Sequence, residues 1–408
     1  MPSFVTRLES AIDGTALPHD RLQTTHADRP LWVRYDLDAI GKAVSRDDLQ
    51  GREPTLWRYR ELLPVEEDEN IVSLGEGMSP LLACPRLGAE LGLTQLFIKD
   101  ESQLPTGSFK SRGLCMAVSR ARELGVTRLA IPTAGNAGGA MAAYAARAGL
   151  EAFVLMPADT PLVNRYEAAL FGAKVFLVDG LINDCGALVH RGAEALGWFD
   201  CSTLKEPYRI EGKKTMGLEL AEQLDWTLPD SIFYPTGGGT GLIGMWKAFN
   251  ELESLGWLER TDRPRMYACQ SAGCAPIVTA FDRGERHADP FPDPATIASG
   301  LRVPKAIGDF MILDAVRESG GQALAAPESD ILPWMRKANA LEGISLCPET
   351  AACLSALATL VRAGDFDPNE RVVVFNTGAV QKYVEAMECD LPLLPAQGEI
   401  DWDAVARS

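Results

Sequence analysis

From about residue 73 onward, short apolar runs alternate with helix-length stretches of small and apolar residues. Residues 96–99, 128–132, 152–157 and 173–178 form the first group of runs. The same rhythm resumes at residues 231–234, 266–270 and 371–375. Such runs, nearly continuous in apolar residues, predict an α/β protein with mainly parallel twisted sheets covered by helices. No internal repeat or low-complexity tract interrupts the pattern. The 408 residues are enough for two α/β lobes with a sizeable core. Apolar content of 46% and charged content of 23% are those of an ordinary globular chain. A segment near 283–304, rich in Pro, Asp and Gly, reads as a surface loop.

Ligands in parallel sheets bind beyond the carboxyl ends of strands, so the loops after the runs carry the functional reading. Three stretches stand out. The first is Lys99-Asp-Glu-Ser-Gln-Leu-Pro-Thr-Gly-Ser-Phe-Lys110-Ser-Arg-Gly113. It sets Lys110, with Phe109 before it, at the end of a Pro-Thr-Gly-Ser turn and the start of an apolar helical run. Desolvation and a helix N-terminus both favour the neutral amine, the form that attacks an aldehyde and makes a Schiff base. The second stretch follows residues 128–132 and places Asn136 in a turn before an alanine-rich helix. The third, Pro235-Thr-Gly-Gly-Gly-Thr240-Gly241, joins a strand to a helix. Its backbone N–H groups are free to converge on a phosphate, with the helix dipole assisting. It lacks the Lys-Ser/Thr ending of a P-loop, and no acidic residue is placed to bind a ribose. Either loop taken alone is also compatible with a plain tight turn.

Taken in order, Pro105-Thr-Gly-Ser-Phe-Lys110 with Arg112-Gly113, Ala134-Gly-Asn136, Tyr208-Arg209-Ile-Glu211-Gly212-Lys-Lys-Thr215, the glycine loop 237–241 and Asn376-Thr377-Gly378 resemble the fold-type II pyridoxal-phosphate enzymes. The threonine synthase branch is the most similar. Gly75-Glu-Gly-Met-Ser-Pro80-Leu looks like that family's entry segment. The resemblance spans most of the chain. It implies pyridoxal 5′-phosphate as cofactor and Lys110 as the Schiff-base and proton-carrying residue. Phe109 and Asn136 would flank the cofactor, with Asn136 on its 3′ oxygen. Gly237, Gly238, Gly239, Thr240 and Gly241 would bind its phosphate. Thr377 would face the pyridine nitrogen, where a hydroxyl favours a protonated ring less than an Asp does. Thr133, Ala134 and Gly135 would meet the substrate carboxylate, and Arg209 and Lys382 a substrate phosphate.

The resemblance further implies a lobe division. It sets an N-terminal arm at 1–72, a smaller lobe with the Schiff-base lysine at 105–205, a larger lobe at 73–104 plus 206–395, and a tail at 396–408. In many relatives the arm resembles a zinc ribbon. Here it holds no cysteine, and His19 and His26 alone make a poor zinc site, so no metal is expected and both read as surface residues. The implied reaction turns O-phospho-L-homoserine and water into threonine and phosphate. Departures leave a dehydratase or a β- or γ-replacing enzyme open as the alternative. Ser111 stands where the branch usually has Asp, Ala137 where a threonine commonly binds phosphate, and Ala379 where it has His. Glu349 reads either as a helix N-terminal carboxylate or as a group reaching the cleft.

A formal charge of −17 argues against nucleic acid or an anionic membrane surface as partner. No apolar run approaches the roughly 20 residues that span a bilayer. The first residues lack an apolar signal core, so the cytoplasm is the expected compartment. Nine cysteines without CxxC spacing read as reduced, mostly buried thiols. A homodimer is expected by resemblance.

Overall fold

The computed structural model describes residues 3–388 and 391–407. Its strands in chain order are β1 (Val5–Ser10), β2 (Ala16–Leu17), β3 (Leu31–Tyr35), β4 (Leu81–Ala83), β5 (Gln95–Asp100), β6 (Arg128–Pro132), β7 (Glu151–Pro157), β8 (Lys174–Val178), β9 (Phe199–Asp200), β10 (Ser231–Pro235), β11 (Arg265–Ser271), β12 (Ala323–Ala326) and β13 (Arg371–Asn376). They form three sheets. A six-stranded sheet runs β12-β11-β10-β13-β5-β4, a four-stranded one β8-β7-β6-β9, and a three-stranded one β2-β1-β3. Every pairing in the two larger sheets is parallel except β4 with β5.

The central strands are apolar on both faces because helices cover both. Ile232, Phe233, Val372, Val373, Val374 and Phe375 are all fully buried. The seven strands expected from the sequence are present. The short strands β4, β9 and β12 give too few residues for a pattern to be seen.

The N-terminal arm is more ordered than a polar tether. β1 and β3 pair antiparallel, with Leu8 opposite Val33 and Ser10 opposite Leu31. Leu8, Leu31 and Val33 are buried, so one face of this sheet is apolar. The Tyr35 hydroxyl donates to Glu211 at 2.8 Å, and Lys247 donates to the Val33 carbonyl at 2.7 Å. The 283–304 segment is largely exposed, as expected of a surface loop, but it dips inward at Ala298 and Leu301, both buried. His19 lies 3.4 Å from Glu66 and His26 lies 3.6 Å from Asp13, both partly exposed. The eight cysteines among the described residues are free and buried. Among the described residues no helix is long and apolar enough to cross a membrane.

Register places the site. β13 runs beside β5 with Phe375 opposite Lys99 and Asn376 opposite Asp100. The chain that leaves β13 at Thr377 therefore lies beside the chain that leaves β5 toward the Pro105–Gly107 turn.

Candidate active site

That adjacency is fixed by backbone hydrogen bonds. Phe109 N–H donates to the Thr377 carbonyl at 3.1 Å, and Ala379 N–H to the Gly107 carbonyl at 2.9 Å. Ser108 and Gly378 form an isolated antiparallel bridge. The turn itself is left-handed at Thr106 and Gly107, with φ of 60° and 61°. A β-branched residue there is strained, a feature that clusters at functional sites. Lys110 follows as the first residue of a helix, Lys110–Glu123.

The Lys110 side chain keeps partial solvent exposure, while its amine packs 3.9 Å from the centre of the Phe109 ring. Burial pushes its pKa down to about 7, Arg209 pushes the same way, and Glu349 and Cys347 oppose. The contrast with the enclosed lysines is informative. Lys99 pairs with Glu219 at 3.1 Å, Lys214 with Glu211 at 2.8 Å, and Lys382 with Glu167 at 2.6 Å, while Lys247 also pairs with Glu211. Among the described residues, Lys110 and Lys213 make no such pair. Lys213 is fully buried, donates to the Phe109 carbonyl, and lies 4.0 Å from the same ring.

Asn136 precedes the helix Ala137–Ala148. Its amide nitrogen donates to the Tyr383 hydroxyl at 3.2 Å, and Asn164 donates to its oxygen at 2.8 Å. A Cβ added to Gly378 would come 3.4 Å from the Asn136 amide nitrogen, so the amide sits beside the segment that follows Thr377. The Thr133 hydroxyl accepts from the Gly135 N–H at 3.1 Å and lies 3.0 Å from the Gly135 carbonyl. In this arrangement two of the groups expected to meet a substrate carboxylate are engaged with each other.

The glycine loop ends β10 and opens the helix Thr240–Ser254, with Gly239 at φ of 74°. A Cβ at Gly237 would lie 2.5 Å from the Gly300 carbonyl, one at Gly239 2.3 Å from Ile312, and one at Gly241 1.9 Å from the Tyr234 hydroxyl. No side chain fits at these positions. The first N–H groups of a helix have no partner inside it. A side-chain-free loop that presents such groups is a cradle for an anion, and so fits the phosphate of the expected cofactor.

Thr377 is buried, its hydroxyl 3.8 Å from the Cys347 sulfur. Burial and then Glu349 push the Cys347 thiol up to about 12, so it stays neutral. Arg209 is buried and donates to the Cys201 carbonyl at 2.8 Å, and its Nε has no partner. Glu206 is the nearest opposing charge, but neither it nor Glu211 forms an ion pair with the guanidinium. Glu206 accepts the backbone N–H groups of Tyr208 and Arg209, and Glu211 is held by Lys214 and Lys247. Lys382 is held differently from Arg209: besides Glu167 it donates to the Thr106 carbonyl at 3.0 Å.

The structure thus brings Lys110, Phe109, Thr377 and Arg209 into one neighbourhood. It sets Asn136 beside the chain that follows Thr377, and Lys382 behind the lysine turn in an ion pair. Sequence reasoning passed over Lys213, Tyr383 and Cys347. For Lys213 and Cys347 a faint signal exists in Glu-Gly-Lys-Lys and Cys-Pro-Glu, where a polar group falls inside or just before an apolar helix.

The pyridoxal-phosphate dependent enzyme family matches residues 72–378. A threonine synthase of Methanocaldococcus jannaschii is 36% identical over 375 residues, 89% of this chain and 92% of that protein. Threonine synthases of Methanosarcina acetivorans and Mycobacterium leprae are 36% and 33% identical, covering 86% and 85% of this chain and 85% and 93% of theirs. Among solved structures, maize serine racemase superposes with a TM-score of 0.65 at 21% identity, over 76% of this chain and 91% of that one. The processed form of threonine deaminase isoform 2 from Solanum lycopersicum gives 0.63 at 20%, over 76% and 82%. The structural likeness speaks to the fold, and together with the sequence matches it identifies the chain as a threonine synthase-like member of the pyridoxal-phosphate dependent enzyme family, of fold type II.

Proposed function

We propose that this chain is a pyridoxal-phosphate dependent lyase that acts as a threonine synthase, turning O-phospho-L-homoserine and water into L-threonine and phosphate. The observation that carries the reading is the 36% identity to a threonine synthase over nearly the full length of both chains. The site's chemistry supports it. Bound pyridoxal phosphate supplies an electron sink for negative charge developing on substrate carbons.

The protein's own groups do the rest. Lys110, its amine held neutral, would be the residue that holds the cofactor at its aldehyde carbon, and the same amine would carry protons at the substrate carbons. Gly237, Gly238, Gly239, Thr240 and Gly241 hold the cofactor phosphate with backbone N–H groups. Asn136 and Phe109 would hold the ring between them. Thr377, beside the neutral Cys347 thiol, offers the ring nitrogen a hydroxyl and no charge. The Arg209 guanidinium, which makes no ion pair, grips the substrate phosphate, and Lys382 joins it if Glu167 yields. Thr133, Ala134 and Gly135 orient the substrate carboxylate. The smaller lobe is 105–205, and 73–104 with 206–395 make the larger one.

One observation favours a second reading, a dehydratase or replacement enzyme on the same scaffold. Ala137 and Ala379 remove polar groups from the substrate side, and Lys382 is already ion-paired. We further propose a cytoplasmic homodimer.

The deciding experiment adds O-phospho-L-homoserine to the cofactor-loaded protein and quantifies phosphate and threonine. Stoichiometric release of both is expected. Cofactor absorbance without phosphate release, with keto acid formed from serine or threonine, would replace the first reading by the second. Light scattering tests the dimer.

A further inference from the structure

We propose that Asn164 is a positioning residue for Asn136: it binds the oxygen of the Asn136 amide and so keeps the amide nitrogen as the end offered to a bound cofactor. The Asn164 side-chain nitrogen donates to the Asn136 oxygen at 2.8 Å, and the Asn136 nitrogen donates to the Tyr383 hydroxyl at 3.2 Å. Asn164 is 1% exposed, and Asn136 and Tyr383 are buried, so these groups depend on one another for hydrogen bonds. A side-chain amide has one accepting end and one donating end with two N–H groups. With its oxygen taken by Asn164 and one N–H by Tyr383, Asn136 keeps one N–H free. That donor end faces the chain that follows Thr377, because a Cβ at Gly378 would meet the amide nitrogen at 3.4 Å. A flipped amide would offer an oxygen there, which cannot bind the acceptor oxygen of a cofactor ring.

The order of donors and acceptors is also set from beyond the pair. Glu349 is buried and accepts the Gly300 N–H at 2.8 Å, and the Tyr383 hydroxyl donates to the same carboxylate. A hydroxyl has one proton to give, so Tyr383 then accepts from Asn136. The fold holds both partners in place. Asn164 is the third residue of the helix Leu162–Leu170. An Asn near a helix start ordinarily bonds local backbone, whereas this side chain reaches across to another element. Gly139 lets the two helices approach: a Cβ there would come 1.8 Å from Glu167 of the helix that carries Asn164. The Leu162 N–H donates to Glu385 at 3.3 Å, and Glu167 pairs with Lys382 at 2.6 Å. The Asn136 amide is thus clamped between a helix and the segment carrying Tyr383, and those two elements are tied to each other.

The inference rests on the reading that Asn136 holds the cofactor. The test is a double-mutant cycle in the full-length protein with Asn164→Leu, which keeps the volume and removes the donor, with Asn136→Ala, and with both. Affinity for pyridoxal phosphate is read by equilibrium dialysis, and the visible absorbance of the bound cofactor is read alongside. Asn164→Leu is expected to weaken binding about five- to tenfold, the worth of one misdirected hydrogen bond, and to shift the absorbance. In the Asn136→Ala background the same substitution is expected to change nothing further, because the amide it orients is gone. Asn164→Ala is expected to show the same coupling and serves should Asn164→Leu fail to fold. A purely structural role predicts lowered stability with wild-type affinity, or losses that add in the combined variant. Either result would overturn the inference. Asn136→Ala that bound cofactor with wild-type affinity and absorbance would instead overturn the reading of Asn136.

Discussion

Replacing Arg112 by methionine is expected to cost the fold about 3–5 kcal/mol, the typical loss when one partner of a buried ionic cluster is removed. The guanidinium has no solvent exposure. It donates to Glu101 at 2.5 and 2.8 Å, to Glu219 at 2.5 and 2.8 Å, and to the Thr215 hydroxyl at 3.0 Å. Lys99 joins through Glu219 at 3.1 Å, so two cations balance two carboxylates in the interior. Methionine fills most of the volume and leaves a buried net negative charge. The cluster ties the helix that begins at Lys110 to the helix that carries Arg209 and Lys213, so its loss also loosens the site. Burial alone would raise the Glu219 carboxyl, but Arg112 and then Lys99 pull it down to about 2. A depressed carboxylate contributes stability above its unfolded value of about 4.3, and the contribution is lost as pH falls toward the folded value. The deficit of the variant is therefore full at neutral pH and shrinks on acidification. Urea and thermal unfolding followed by circular dichroism at neutral and mildly acidic pH measure it. The double variant Arg112→Met with Glu219→Met leaves one charge of each sign and is expected to recover most of the loss. A single variant within about 1 kcal/mol of wild type, or a deficit independent of pH, would refute the charge-balance reasoning.

Arg209→Ala is expected to raise KM for a phosphorylated substrate about ten- to a hundredfold, the worth of a charge-assisted hydrogen bond pair, with little change for unphosphorylated amino acids. Steady-state kinetics on both substrate types checks this, and equal effects on the two would sink the phosphate-grip proposal. Gly241→Ala puts a Cβ 1.9 Å from the Tyr234 hydroxyl. The Tyr234 ring packs against Phe375 at 5.5 Å and Phe109 at 6.1 Å, which limits its retreat. Equilibrium dialysis is expected to show cofactor affinity at least about tenfold weaker, at roughly 1–3 kcal/mol of overpacking, and wild-type affinity would contradict the cradle. Lys213→Met is expected to stabilise the protein by about 1–2 kcal/mol at neutral pH, because a buried amine without a carboxylate is replaced by an apolar chain. Burial, then Lys110 and Arg209, hold the Lys213 amine well below its usual range. The wild type therefore gains stability as pH rises toward the ordinary lysine value of about 10.4, and the advantage of the variant should fade over that interval. A variant less stable at every pH would show that Lys213 is structural.

Much of the architecture was legible in the chain. Residues 231–234 and 371–375 are long enough and apolar enough that they fit nowhere but a doubly covered sheet. The arm was harder to read. In β3, Leu31 and Val33 point inward while Trp32 and Arg34 stay partly exposed, and five residues give a weak alternation. The site divided in the same way. Lys110 and the glycine loop were visible because turn chemistry and helix starts are local. Lys213 and Tyr383 were not, because nothing near a Lys-Lys pair or a lone Tyr tells which buried group it will face.

The sequence by itself determined which residues are able to do chemistry: an amine at a helix start, an amide in a turn, and glycines where no side chain fits. These depend on backbone conformation and side-chain type within a few residues. The tertiary structure decided their ionic state and their partners. Lys99, Lys213, Lys214 and Lys382 differ in role because different carboxylates, or none, reach each amine across the fold. Charge in a low-dielectric interior is set by neighbours a few ångströms away, and those neighbours come from distant parts of the chain.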